Sequence, residues 1–261
     1  MKKQTDSQIY IQACLVFLVF ISMTTASGYH DYCIIGAGPG GLQLGYYLQQ
    51  QNRDYIIYER TNISGSFYST YPRHRTLISI NKRHTGKTNK EFNLRYDWNS
   101  LLSDDESLLF RHYSKDMFPH ADVLVKYLED YTEKLNINVQ VLIIATGLWV
   151  PNIPDLTGID YAEGYETMSI NPDDYEGKNV LILDVEGIWE IQSSPRINHD
   201  YQSPDNPGMY LAGAATHSLD FRKSAGGFIH GYRYTARSLS RILDNRYHHA
   251  LAINNCSTLH R

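Results

Sequence analysis

The sequence predicts an α/β fold built on a parallel sheet. Two observations predict it: apolar, strand-like runs alternate with stretches of helical periodicity, and a run of spaced glycines separates the first strand from the first helix. The 261 residues suffice for one or two domains, and 42% hydrophobic residues are enough for a buried core. A formal charge of -4 gives no indication of nucleic-acid binding.

The glycine-rich turn lies in the run DYCIIGAGPGGLQLGYYLQQQ. Gly36, Gly38 and Gly41 fit the spacing G-x-G-x-x-G. In that spacing the first glycine permits a tight turn, the second lets a pyrophosphate approach the backbone, and the third lets helix and strand pack closely. The helix, predicted from about Gly40 to Gln51, directs its unpaired N–H groups at the phosphates.

Glu59 follows the second predicted strand, 23 positions after Gly36. An acid at this place accepts a hydrogen bond from a ribose hydroxyl and favours a ribose without a phosphate. Strand, turn, helix and acid together predict a Rossmann-like unit that binds a dinucleotide. The alternative is a degenerate unit that keeps the shape without the ligand.

The rest of the chain continues the alternation. Residues 60–120 are predicted to be loops with short elements, and an amphipathic helix that covers the sheet is predicted over 121–136. Buried strands are predicted over 137–147, 179–184 and 208–214. The closing helix carries its apolar side on Phe228, Ile229, Tyr232, Leu239, Ile242 and Leu243. A basic cluster lines a phosphate cleft or, alternatively, forms a solvated face; it comprises Arg73, His74, Arg75, Lys82, Arg83, His84 and Lys87.

The N-terminus has the layout of a signal peptide over residues 1–26: MKK, an apolar run, then small residues. An uncleaved membrane anchor is the alternative, although the run is shorter than the roughly 20 apolar residues of a spanning helix. Secretory entry makes two triplets acceptors for N-linked glycans, at Asn62 and Asn255. Cys33 is predicted to be a small buried hydrophobe, and neither a Cys-x-x-Cys dithiol nor a metal site is predicted.

Three stretches, GAGPGGL, ATGLWVPNIPDLTGID and MYLAGAATHSLDF, resemble the flavin-containing monooxygenase group of two-nucleotide flavoproteins. Three others, YPRHRTLISINKRHTGK, EFNLRYDWNSLL and FRKSAGGFIHGYRYTAR, resemble more specifically an endoplasmic-reticulum branch of that group. The resemblance covers about residues 30–248. It implies a lumenal FAD-dependent oxidoreductase, reduced by NADPH in the family. Its partners would be a disulfide reductase with a J-domain and the machinery that degrades misfolded glycoproteins.

The resemblance also implies roles for individual residues. Gly36, Gly38 and Gly41 contact the FAD pyrophosphate, and Glu59 contacts the adenosine ribose. Thr146 and Gly147 form the turn where the chain crosses beneath the cofactor. Gly213 lies near the flavin, and the isoalloxazine carbonyl is faced by the helix that begins at Gly226 and Gly227. His217 and Asp220 lie on the intervening loop, where the histidine has a hydrogen-bonded structural role or, alternatively, donates a proton. No catalytic residue is assigned.

The chain departs from the family in two places. LNINVQ runs directly into VLIIATG, which implies that part of the adenine wall is missing. After the strand at 179–184, about twenty residues remain before GMYLAG, fewer than the roughly 30 of a strand-helix-strand unit. The prediction is a discontinuous FAD-binding domain at 30–150 and 205–248, a remnant of the NADPH-binding domain at 151–204, and a tail at 249–261.

Two functions from different classes follow. The first is an FAD-dependent oxidoreductase of the endoplasmic-reticulum lumen that lacks NADPH-driven turnover, because its second nucleotide domain is largely missing. The second is a non-catalytic, truncated remnant with weak or no FAD binding that acts at most as an interaction domain. Because the chain ends in CSTLHR and not in a Lys-Asp-Glu-Leu-like signal, secretion is an alternative to retention in the lumen.

Overall fold

The computed structural model describes residues 29–141, 161, 163–164, 167–177, 196–219 and 227–248. The chain divides into two compact units, one of Met1–Tyr29 with Ile143–Leu183 and one of His30–Leu142 with Asp184–Arg261. In the first unit, the described residues include a 3₁₀ turn at Pro172–Tyr175, whose first turn is capped by the side chain of Asn171. All elements below belong to the second unit.

The second unit contains three parallel strands and five helices within its described residues. In chain order they are β1 (Tyr32–Ile35), α1 (Pro39–Gln50), β2 (Tyr55–Glu59), α2 (Phe67–Thr70), α3 (Lys90–Tyr96), α4 (Ala121–Lys134), β3 (Val139–Val141) and α5 (Ile229–Tyr247). Short 3₁₀ turns lie at Glu106–Leu108, Phe110–His112 and Gly213–Leu219. The region 60–120 therefore consists of loops with short elements, as predicted.

The sheet has the order β1-β2-β3, with every pair parallel. Cys33 is paired with Ile56, and Ile57 with Val139. The two crossovers between parallel strands contain α1 and α4, which is the arrangement of a βαβ unit. The predicted Rossmann-like α/β fold is confirmed.

Helix α1 packs closely against β1 and the turn that precedes it. A Cβ atom on Gly41 would overlap the carbonyl oxygen of Gly36 and would lie 3.4 Å from Cγ2 of Ile34. The third glycine of the motif therefore does what the sequence predicts. The side chain of Gln43 fixes the helix to the 101–102 segment, because its amide donates to the carbonyl of Leu102 and its oxygen accepts from the same residue's N–H.

Helix α4 is amphipathic, as predicted. Leu124, Tyr127, Leu128 and Tyr131 are buried in one core cluster that also contains Ile57 of β2. The rings of Tyr131 and Tyr46 on α1 meet edge to face with centroids 6.1 Å apart. Aromatic pairs of this geometry add about 0.5–1.5 kcal/mol beyond their burial.

Helix α5 buries the predicted residues Ile229, Tyr232, Leu239 and Leu243. Phe228 does not belong to that face, because it lies at the N-cap and is 51% exposed. Arg233 is instead fully buried, and its guanidinium donates to the carbonyls of Ser100 and Leu94, each at 2.6 Å. Two backbone acceptors therefore let a charged side chain occupy the core.

The structure corrects three further predictions. Residues 208–214 do not form a strand: Tyr210 makes only an isolated bridge with Gln202, and a 3₁₀ turn begins at Gly213. The third strand is not buried where it is described, since Val141 is 55% exposed. Cys33 is exposed, because it lies on the face of β1 opposite the core that holds Ile34. None of the helices in the described residues is both long and apolar enough to cross a membrane.

Candidate functional site

The turn between β1 and α1 leaves open space where the motif requires it. Gly36 has a φ of +99°, a conformation that favours glycine, and its N–H donates to the carbonyl of Tyr58 at 2.7 Å. A Cβ atom on Gly38 would meet no atom of the described residues within 4 Å. Packing within the protein therefore does not require a glycine at position 38. Open space above the backbone is expected instead where a ligand approaches it closely.

The carboxylate of Glu59 lies against the glycine turn. Its Oε2 accepts a hydrogen bond from the N–H of Ala37 at 2.8 Å, and its Oε1 accepts from the N–H of Thr61 and the hydroxyl of Ser66, both at 3.2 Å. The side chain is only 7% exposed. A carboxylate has about four acceptor positions, so Oε2 keeps one for a ribose hydroxyl.

A cavity of about 220 Å³ lies beside Glu59 at the ends of β2 and β3. Binding pockets for drug-sized ligands measure roughly 300–1,000 Å³, so this cavity fits one part of a dinucleotide. Ten residues line it. Three are carboxylates (Glu59, Glu129 and Glu133), four carry hydroxyl or amide groups (Thr61, Asn62, Ser64 and Thr132), and three are apolar (Ile63, Val139 and Val141). Residues of the basic cluster predicted from the sequence do not line it.

Gly213 lies against the start of α1. A Cβ atom on Gly40 would be 2.5 Å from the Cα of Gly213, so the two backbones touch. Gly213 has a φ of +76° and begins the 3₁₀ turn that leads toward α5. This turn is tied to α5 by the hydroxyls of Thr216 and Thr235, which are 3.0 Å apart. The predicted site residues Gly36, Gly38, Gly41 and Gly213 are therefore brought together.

Near the first turn of α5 lie buried polar atoms that have no partner in the part of the chain that the structure describes. The ring of His217 packs on Gly227, since a Cβ there would lie 3.4 Å from its Cδ2. Among the described residues, the buried Nδ1 atoms of His217 and His230 and the Nε of Arg233 have no hydrogen-bond partner. Unpartnered buried polar atoms are rare in folded proteins and point to a missing partner such as a ligand.

Helix capping separates the helices of this unit into two classes. Within the described residues, α3 and α4 are capped by side chains, because Asn89 accepts from Phe92 N–H and His120 accepts from Asp122 N–H, and each has an acid in its first turn. The two helices expected to face the cofactor, α1 and α5, have neither a side-chain cap nor an acid there. Their N–H groups and positive dipole ends remain available to an anion or a carbonyl.

An aromatic column, defined here as Trp98, His230 and Phe228, lies at the start of α5. His230 stacks on Trp98 with centroids 5.1 Å apart and on Phe228 at 5.9 Å. The Lys82 ammonium lies 3.8 Å from the centroid of Trp98. Burial lowers the pKa of His230, and the positive charges of Arg233 and Lys82 lower it further. The imidazole is thus kept neutral at neutral pH.

Several predicted residues lie outside the described part of the chain: Thr146, Gly147, Asp220, Gly226 and Asn255. The sequence analysis missed Glu129, Glu133, Trp98, His230 and Arg233. The two glutamates are one turn apart on a helix that was correctly predicted, but helical periodicity does not tell which polar residues line a cavity. The other three lie in stretches that carried the resemblance, which was the available signal.

Residues 33–184, more than half of the chain, match the family described as pyridine nucleotide-disulphide oxidoreductase. The chain belongs to this family. Among its relatives, FAD-dependent oxidoreductase domain-containing protein 2 of Mus musculus is 31% identical over 402 aligned positions, which cover 90% of this chain and 60% of the mouse protein. The protein of the same name from Danio rerio is 44% identical over 186 positions, covering 59% of this chain and 27% of the zebrafish protein.

The chain therefore spans less than two thirds of the length of these relatives. Among solved structures, a flavin-containing monooxygenase from Stenotrophomonas maltophilia is similar, with 20% identity and a TM-score of 0.32 over 42% of this chain and 28% of that chain. Membership of an FAD-dependent oxidoreductase family, which the sequence stretches predicted, is confirmed by the family match and the two named relatives.

The residues present fit FAD. The open surface at Gly38 and the uncapped start of α1 suit a pyrophosphate, and Glu59 with its cavity suits the adenosine. The start of α5, with its unpartnered polar atoms, suits the electron-rich ring carbonyls of the flavin. The donors and acceptors are thus of the kind that each part of the cofactor needs. No group of His, Cys, Asp or Glu residues in the described part is arranged to hold a metal ion.

Proposed function

We propose that the protein is an FAD-dependent oxidoreductase whose described second unit is the FAD-binding domain. The observation that carries the proposal is the capping pattern. Among the described helices longer than one turn, α1 and α5 have uncapped, acid-free N-termini, whereas α3 and α4 are capped. Helix α1 begins at the glycine turn, and α5 begins beside Gly213–Leu219. When bound, FAD supplies hydride and electron transfer, while the protein supplies binding, orientation and electrostatics.

In this proposal the N–H groups at Gly38 and the start of α1 hold the pyrophosphate. Glu59 accepts from the ribose, and the cavity beside it receives the adenosine. The neutral His230 and the buried Arg233 lie at the start of α5, where they adjust the electrostatics around the flavin ring. No proton transfer is assigned to a particular side chain.

We further propose that the chain lacks the NADPH-binding half of its relatives. The alignment with the mouse protein supports this proposal. It runs over 402 positions although the chain has only 261 residues, so many positions of the mouse protein have no counterpart in this chain. The strand predicted over 179–184 ends on Asp184, and Glu186 follows it, where glycines would let a phosphate approach. NADPH would then fail to reduce the flavin, and anaerobic mixing with excess NADPH would leave the flavin absorption band unchanged.

We also propose a cellular compartment and partner proteins for this chain. The signal-like residues 1–26 support a protein of the endoplasmic-reticulum lumen. The resemblance of the stretches quoted above to the endoplasmic-reticulum branch of the family supports work beside a J-domain disulfide reductase in the disposal of misfolded glycoproteins. Sensitivity of the expressed protein to an N-glycosidase tests entry into the lumen. Recovery of an unglycosylated, cytosolic protein would contradict it.

A second candidate is a non-catalytic remnant that serves as an interaction domain. It is favoured by the exposed face of β1, where Cys33 and the 65% exposed Ile35 have no covering layer among the described residues. An absorption spectrum of the purified protein separates the two candidates. A flavin band at stoichiometric occupancy supports the oxidoreductase, whereas a colourless protein that stays colourless after incubation with FAD supports the remnant.

A further inference from the structure

The acceptor triplet at Asn62 and the adenosine cavity occupy the same place in the fold. Asn62, Ile63 and Ser64 all line the cavity beside Glu59. We infer that an N-linked glycan at Asn62 and a bound FAD exclude each other, so that modification of Asn62 marks chains that have not loaded the cofactor. The inference rests on the proposed FAD site and goes beyond it by assigning a modification that controls loading.

The segment that carries the triplet is held in place from three sides. The N–H of Gly65 donates to the carbonyl of Ala37 in the glycine turn at 2.9 Å. The hydroxyl of Ser66 donates to Glu59, and the Oγ1 of Thr132 on α4 lies within hydrogen-bonding distance of the hydroxyl of Ser64 at 2.9 Å. The loop from Thr61 to Ser66 is therefore part of the nucleotide site.

The hydroxyl that completes the triplet is not accessible in the folded unit. Ser64 is only 8% exposed, and its hydroxyl faces Thr132. Glycan transfer requires the Asn-x-Ser triplet, including this hydroxyl, at an accessible surface position. Modification of Asn62 is thus confined to the time before the loop packs on α4, although the Asn62 side chain itself remains exposed afterwards.

A glycan added at that stage stays on the wall of the cavity. Its first sugar is covalently attached to a residue that lines a space of about 220 Å³, which has room for one fragment of a dinucleotide. The glycan also keeps a bulky hydrated group beside the loop that must close on Glu59. Chains modified at Asn62 therefore lose the adenosine half of the site while retaining the glycine turn.

The test is expression of the full chain in secretory cells, followed by separation of glycoforms and measurement of bound flavin per mole. The variant Asn255→Gln restricts modification to Asn62, and Asn62→Gln restricts it to Asn255. We expect protein modified at Asn62 to contain at most about one tenth of the flavin in the unmodified fraction, a ratio that corresponds to 1.4 kcal/mol or more of binding free energy. Modification at Asn255 should not change the flavin content.

Equal flavin content in the two Asn62 glycoforms would overturn the inference and leave the proposed function intact. Absence of a glycan from Asn62 in flavin-free protein would also overturn it. The proposed function fails differently: the fraction of Asn255→Gln without a glycan at Asn62 would itself lack flavin after incubation with FAD, and the inference would fall with it.

Discussion

The N–H of Ala37 donates a hydrogen bond to Oε2 of Glu59 at 2.8 Å. This bond joins the glycine turn to the end of β2 and so links the two halves of the predicted nucleotide motif. Ala37 is fully buried, which means that water does not offer its N–H an alternative acceptor. Glu59 therefore organises the turn as well as offering an acceptor to a ribose.

Substitutions of Glu59 should separate its role in organising the turn from its role as an acceptor for the ribose. Glu59→Leu leaves the buried N–H of Ala37 without an acceptor, and we expect a loss of about 1–3 kcal/mol in the free energy of unfolding. Glu59→Gln keeps an acceptor oxygen and should cost less than half as much. The affinity of Glu59→Gln for FAD should fall about 10- to 100-fold, because the charge-assisted hydrogen bond from the ribose hydroxyl to the carboxylate contributes about 1.5–3 kcal/mol. Urea denaturation and FAD titration measure the two effects, and equal stability of both variants would contradict the structural role.

The acidic cavity should reject a phosphate on the ribose. Glu59, Glu129 and Glu133 place three carboxylates on its walls. Like charges at short range disfavour a phosphate there by about 1 kcal/mol or more, so 2′,5′-ADP should compete with FAD at least about fivefold less well than 5′-AMP, which lacks only the 2′-phosphate. The double variant Glu129→Gln with Glu133→Gln should narrow this difference. Equal competition by the two nucleotides in the wild-type protein would show that adenosine binds elsewhere.

Arg233 should contribute strongly to stability despite carrying a buried charge. Its two hydrogen bonds satisfy the carbonyls of Leu94 and Ser100. Arg233→Met fills similar volume but leaves both carbonyls without that donor, and we expect a loss of about 2–4 kcal/mol. Arg233→Lys retains a charge but reaches fewer acceptors, so its free energy of unfolding should lie between those of the wild type and Arg233→Met. A variant Arg233→Met as stable as the wild type in urea would show that the carbonyls find other donors.

His230 should make the protein less stable in mild acid. Its pKa in the folded chain is lowered from 6.5, first by burial and then by Arg233 and Lys82, so the unfolded chain binds the proton more readily. Stability due to the neutral imidazole is therefore complete above pH 6.5 and is lost as the pH falls below 6.5 toward the lowered value. The urea midpoint should drop over that interval, and His230→Gln should flatten the drop. An unchanged pH profile in His230→Gln would contradict the assignment.

The sequence predicts the parts of the site that are local and misses those that depend on tertiary packing. The glycine turn, α1, α4 and Glu59 are encoded within short windows, where each residue type has its own backbone or hydrogen-bonding duty. The contact between Gly40 and Gly213 joins residues far apart in the chain, and no periodicity reveals it. The burial of Arg233 is likewise invisible, because it depends on the carbonyls of Leu94 in α3 and of Ser100 in the loop that follows. Helical periodicity alone assigns Phe228 to the wrong face.

Titration of the purified, flavin-free protein with FAD, compared between the wild type and Gly38→Val, tests the central claim most directly. Because a Cβ on Gly38 would lie more than 4 Å from every atom in the described part of the chain, the variant should keep the wild-type circular dichroism spectrum and urea midpoint. Its side chain would stand where the pyrophosphate approaches the backbone, so FAD binding should be lost. The account predicts saturable binding of one FAD per wild-type chain and none to Gly38→Val. Equal affinity of the two proteins, or no binding by either, would contradict it.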